Sequence, residues 1–218
     1  MKILFQGDSI TDGARLKPVE KRWDKNHQIG HSYAYIVSAK LGFEDPHKYE
    51  FVNRGISGND IFCLENRWEE DAIEVDPDIL SILVGINGNG RTDDGRYVGD
   101  FDANLAAHEA GYRRILDRSL KKNPSLKIII IESFVLPVGV FKADYEDFYA
   151  KLTKIREATA RIASDYGAAF IPMQEEIERL AKESGDPSLW LWDGIHPTER
   201  CHWLLANRWL DAAEPFLK

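Results

Sequence analysis

A serine set just after a short apolar run, in Gly7-Asp8-Ser9-Ile10, is the first residue of this chain whose chemistry stands out. A serine hydroxyl is a weak nucleophile unless a base takes its proton. An acyl group under attack also needs donors for the oxygen that becomes negative. Six histidines are candidates for the base: His27, His31, His47, His108, His196 and His202. His196 alone has a carboxylate at useful spacing within a turn-rich segment, Trp192-Asp193-Gly194-Ile195-His196-Pro197. A single turn would let Asp193 receive one imidazole N–H while the other ring nitrogen faces Ser9. Two further turn segments, Asn53-Arg54-Gly55-Ile56-Ser57-Gly58-Asn59 and Gly85-Ile86-Asn87-Gly88-Asn89-Gly90, offer backbone N–H groups and a side-chain amide. These are the parts of an acyl-transfer site.

What must position them is a series of short aliphatic runs alternating with amphipathic stretches. The runs fall at 2–5, 50–53, 79–84, 127–131 and 169–172, and such continuous apolar strands suit a parallel sheet covered on both faces. Helices are expected at 32–41, 61–74, 101–122, 144–166 and 197–212. Pro124 and Gly167 stop two of them, and Pro197 opens the last at a position where its missing N–H does no harm. Alternating strands and helices predict a three-layer α/β/α sandwich on a five-stranded parallel sheet. In such sheets ligands bind beyond the carboxyl ends of the strands, where the Ser9, Gly58 and Asn87 turns all lie.

Size and composition narrow the function classes. The chain has 218 residues, which predicts one domain spanning 1–218. A hydrophobic share of 44% with 29% charged residues excludes disorder, and a net charge of −8 argues against nucleic acid or an anionic membrane as partner. The apolar start, Ile3-Leu4-Phe5, is far shorter than a signal peptide or membrane helix needs, so a cytoplasmic protein is expected. Cys63 and Cys201 are expected as buried, reduced thiols. No metal-binding spacing and no phosphate-cradling glycine loop occurs, so neither metal nor cofactor is expected.

The Gly7-Asp8-Ser9-Ile10-Thr11-Asp12, Asn53–Asn59, Gly85-Ile86-Asn87 and Asp193-Gly194-Ile195-His196-Pro197 blocks, in that order, resemble the conserved blocks of the SGNH hydrolases, also called GDSL lipases. The resemblance covers essentially the whole chain. It implies a flavodoxin-like fold and a triad of Ser9, His196 and Asp193. The oxyanion would be held by the N–H groups of Ser9 and Gly58 and by the Asn87 amide. The third block departs from the family's usual Gly-x-Asn-Asp, because Gly88 follows Asn87. The segments around Arg67-Trp68, 190–197 and Trp203 are similar to the branch of acetylxylan esterases and related carbohydrate deacetylases. The resemblance therefore implies a small ester substrate such as an acetylated sugar, and it allows a homo-oligomer.

Other readings stand beside these. Trp190 and Trp192 would form a flat wall for a sugar ring or else pack their loop against the core. Asp8 and Asp12 are expected to cap or brace the nucleophile loop, and His202 to pack. Arg15 and Arg54 would brace rim loops or reach substrate, Trp23 would line the pocket or a subunit contact, and Glu69-Glu70-Asp71 is expected as a solvated helix face. A lipase or thioesterase for longer chains is the enzymatic alternative, and a catalytically dead carbohydrate-binding protein the non-enzymatic one.

Overall fold

In the computed structural model, which describes residues 1–17, 25–88 and 99–218, five parallel strands form one sheet in the order β2-β1-β3-β4-β5. The strands are β1 (Lys2–Gly7), β2 (Glu50–Asn53), β3 (Ile79–Leu83), β4 (Lys127–Ile131) and β5 (Ala169–Ile171). All four pairings are parallel, with Phe5 opposite Asn53 on one side and Ser81 on the other. The chain leaves β1 to one side and returns to its other side at β3, so the strand order reverses beside β1. That is the crevice where open α/β sheets bind ligands, and Ser9 stands two residues past the end of β1.

Side chains alternate across the sheet. Ile3, Phe5, Ile129 and Ile131 point into one core with α3 (Tyr33–Glu44), α7 (Gln174–Ser184) and α8 (Glu199–Ala213). Leu4, Leu80, Ile82, Ile128 and Ile130 point into the other, against α4 (Ile61–Asn66), α5 (Phe101–Lys122) and α6 (Tyr145–Asp165). Two short helices, α1 (Ser9–Asp12) and α2 (Lys25–Ile29), flank the end of β1. A third cluster includes Phe141, Phe148, Ile155 and Ile195, the last in the loop before α8. Among the described residues no helix is long and apolar enough to cross a membrane.

The expected strands are all present, to within two residues at their ends. The helix expected at 61–74 is not one cylinder: α4 ends at Asn66 and a wide π-type turn covers Glu69–Ile73. Arg67 marks the break, with its side chain drawn back onto Asn59 Oδ1, Arg54 O and Asp71. Helix α7 has no strong signature in the sequence. Its charged face hides a narrow apolar stripe of Ile177 and Ala181, and Gly185 closes it in the left-handed conformation. Of the two cysteines, both free, Cys201 is buried as expected but Cys63 is exposed. Trp23, Asn89 and Gly90 lie outside the described residues.

Candidate active site

The turn after β1 is held from three directions. Asp8 caps α1, its carboxylate accepting from Ile10 N at 3.0 Å. Asp12, buried, accepts from Ser57 N at 2.9 Å and pairs with Lys17 at 2.8 Å. The Asn53 amide, at the end of β2, donates to Thr11 O at 2.7 Å and to Ile29 O at 2.8 Å, while its Oδ1 accepts from Gly55 N. Gly55 lies so close to α1 that a Cβ there would be 2.5 Å from Asp12 N, so no larger residue fits. Arg15 is almost fully buried and donates from Nε to Gly55 O, and Arg54 pairs with Asp71 at 3.3 Å. Both arginines brace the rim. Of the expected solvated acidic face, Glu69 and Glu70 are exposed, while Asp71 faces Arg54 and Arg67 instead.

The late loop folds on itself. Leu191 and Pro197 form an antiparallel bridge, and Trp192 N donates to His196 O. Asp193 Oδ1 accepts from Ile195 N at 3.1 Å and His196 N at 2.8 Å, which fixes the carboxylate under the imidazole. Its second oxygen lies 2.5 Å from His196 Nδ1. A carboxylate accepts, so the ring proton sits on Nδ1 and leaves Nε2 as an acceptor. Nε2 is 2.7 Å from Ser9 Oγ, across 187 residues of chain. Burial pushes the Asp193 pKa up, but the hydrogen bonds from the His196 side chain, His196 N and Ile195 N outweigh it and leave it below the usual carboxylate value.

The two remaining donor candidates are tethered to this centre. Ile56 N donates to Gly7 O, and Ser57 N to Asp12, so the segment bearing Gly58 runs along α1. Gly58 has φ +79°. Asn87, nearly buried, donates from Nδ2 to Asn59 O at 3.2 Å, which links the second and third turns. The departure at Gly88 has a steric reason. Its φ is +75°, and a Cβ there would lie 2.6 Å from that of Asp60, which caps α4 through Cys63 N. Asp60 fills the space that a longer residue at 88 would need.

Beside Ser9 and His196 opens a depression of about 440 Å³ lined by Ala14, His31, Trp192, Pro197 and His202 among others. Trp192 stacks on His196 with centroids 5.3 Å apart and an interplanar angle of 16°, and stays 60% exposed. Trp190 is not brought to this depression. Its indole donates to Ser184 Oγ and lines a different groove with Trp203 and Arg208. Trp190 and Trp192, two apart, line different depressions, and spacing gave no sign of which would face the serine. His108, one of the six base candidates, is buried and does not line this depression. His202 lines the depression, a placement no local pattern signals because its proximity to Ser9 comes from the packing of α8 on α3.

Residues 5–204 match the GDSL-like lipase/acylhydrolase family, so the chain belongs to that family and is a carboxylic ester hydrolase. It is 30% identical over 210 residues to an acetylxylan esterase of Geobacillus stearothermophilus, covering 96% of this chain and 92% of that one. Among solved structures it is similar to a Parabacteroides merdae protein assigned as a GDSL-like lipase, with a TM-score of 0.86, 31% identity and coverage of 100% and 96%. The Geobacillus acetyl-xylooligosaccharide esterase Axe2 gives a TM-score of 0.80 at 29% identity, over 97% and 93% of the two chains.

Proposed function

We propose that this chain, acting as one domain, is a serine esterase that removes short acyl groups, acetyl foremost, from acetylated carbohydrates such as xylo-oligosaccharides. The observation that carries the chemistry is the unbroken contact chain from Ser9 Oγ to His196 to Asp193 at 2.7 and 2.5 Å. His196 takes the Ser9 proton as the hydroxyl attacks the acyl carbonyl, and Asp193 stabilises the imidazolium that forms. The N–H groups of Ser9 and Gly58 and the Asn87 amide receive the negative oxygen. His196 then gives its proton to the leaving alcohol. Water, deprotonated by the same imidazole, attacks the acyl-enzyme, and the acid leaves with Ser9 restored.

The substrate class rests on two supports. The Geobacillus relatives named above are an acetylxylan esterase and an acetyl-xylooligosaccharide esterase, and two solved Axe2 structures are catalytic mutants, one replacing a serine and one an aspartate by alanine. Trp192 also leaves an exposed indole face beside the nucleophile, a surface suited to a sugar ring. The workplace in this reading is the cytoplasm, with imported oligomers rather than polymer as substrate. The free thiols of Cys63 and Cys201 suit a reducing compartment.

The test compares kcat/KM for acetylated xylobiose, 4-nitrophenyl acetate and 4-nitrophenyl octanoate. Acetyl esters should be preferred; a clear preference for octanoate would favour the long-chain alternative. A serine-directed phosphonate should label Ser9 and abolish turnover. Folded protein without an adduct at Ser9 would leave the sugar-binding alternative.

A further inference from the structure

His202 stands on α8 and forms part of the wall beside Ser9, His31, Trp192 and His196. Its Nδ1 lies 3.2 Å from the backbone nitrogen of Tyr33, the first residue of α3. An amide nitrogen can only donate, so Nδ1 is unprotonated, and the neutral ring carries its single proton on Nε2. Burial first, then the neighbouring imidazoles of His31 and His196, push the ring's pKa down to about 4, which keeps it neutral at working pH. Among the described residues no protein group takes the Nε2 proton, and that nitrogen is not sealed away from the depression.

We propose that the Nε2–H of His202 is a fixed hydrogen-bond donor to a hydroxyl or ether oxygen on the alcohol side of the ester, which makes His202 a specificity-determining residue. The alcohol side follows from the chemistry of His196. The imidazole that protonates the leaving oxygen must lie against it, and His202, Trp192 and Pro197 form the wall around that imidazole. A ring held in one tautomer offers a donor and no acceptor at this point. It therefore favours an alcohol that presents oxygen lone pairs near its ester over one that presents only carbon. This inference rests on the acetylated-sugar reading and gives that reading a named donor.

Two substitutions separate binding from structure. Asparagine at 202 retains an acceptor near the Nδ1 position for Tyr33 N but cannot reach the Nε2 position. Glutamine places an N–H near Nε2 and gives up the bond to Tyr33. His202→Asn should lower kcat/KM for acetylated xylobiose roughly three- to tenfold, mainly through KM, the worth of one neutral hydrogen bond, with 4-nitrophenyl acetate changed by less than about twofold. His202→Gln should keep most of the sugar preference while lowering the melting temperature. Equal losses of both substrates in His202→Asn, or no loss of either, would overturn the donor role, as would a His202→Gln enzyme that loses sugar preference as the asparagine enzyme does. A wild-type enzyme that turns over 4-nitrophenyl acetate but not acetylated xylobiose would instead overturn the substrate reading and take the donor role with it.

Discussion

The two halves of the proposed triad are held in opposite ways. Ser9 sits in a knot tied by residues far away in sequence, with Asn53 and Ser57 hydrogen-bonded to α1 and Gly55 packed closely against it. Asp193 and His196 are held mostly by their own loop, through bonds spanning two or three residues and the Leu191–Pro197 bridge. One longer tether, Leu136 N to Gly194 O at 2.8 Å, anchors that loop to the segment after β4. Their exposure differs as well: Asp8 and Asn53 are buried, while Trp192 on the late loop is largely open to solvent. The Ser9 turn is thus a product of tertiary structure, whereas His196 and Asp193 form a local unit just before α8 that is brought to it.

The sharpest way to break this contrast is Asp193→Asn. Oδ1 still accepts from Ile195 N and His196 N, so stability should change by less than about 1 kcal/mol. The amide N–H would face Nδ1 and force the wrong imidazole tautomer, so kcat should fall about 10⁴-fold. Steady-state kinetics beside a urea titration check both halves, and a large loss of stability would show that the loop is not self-supporting. Next in size is Asn87→Ala, which should lower kcat by about 10²–10³ with the fold retained; near-normal turnover would remove the amide from the oxyanion site.

Asn53→Ala should act the other way round. It removes the Asn53 bonds to Ile29 O and from Gly55 N, and leaves Thr11 O with only the Ser32 hydroxyl, so the loss should be on the order of 2–3 kcal/mol in stability, read as a lower urea midpoint. Activity per folded molecule should fall far less than in Asp193→Asn. His108 supplies a pH counterpart. Burial pushes its pKa down to about 4, with Asp60 opposing, and its ring nitrogens have no hydrogen-bond partner among the described residues. The unfolded chain then binds more protons than the native one between its ordinary pKa and 4. Stability should be complete above about pH 6.5 and fall on acidification by on the order of 2–3 kcal/mol. His108→Met should flatten that slope in urea titrations across pH. The smallest effect is expected at the exposed edge: Trp192→Ala should raise KM for acetylated xylobiose roughly two- to tenfold, with little change in the urea midpoint.

Much of this was legible in the sequence, and the reason differs by element. The strands could be read because a parallel sheet buried on both faces demands unbroken aliphatic runs, as at Ile128–Ile131. The helix at Phe101–Lys122 was found to the residue, because its apolar spacing and its basic end both mark it. Helix α7 was missed because a stripe of two or three apolar residues is drowned by its charges, and the break at Arg67 because its cause is a side chain reaching back to Arg54 and Asn59. Pairing Asp193 with His196 needed only a three-residue turn, so spacing was enough. Placing Trp192 and not Trp190 over the imidazole needed the direction of each side chain, which spacing does not carry.

By itself the sequence determined the order of strands and helices and the internal geometry of the Asp193–His196 unit. Each depends on residues within a few positions of one another, where backbone preference and hydrophobic period decide. Tertiary structure alone decided that His196 meets Ser9 across 187 residues, that Asp60 occupies the space beside Gly88, and that His202 enters the pocket wall against Tyr33. Those outcomes depend on how the helices pack on the two faces of the sheet, a sum of contacts between segments distant in the chain that no local pattern records.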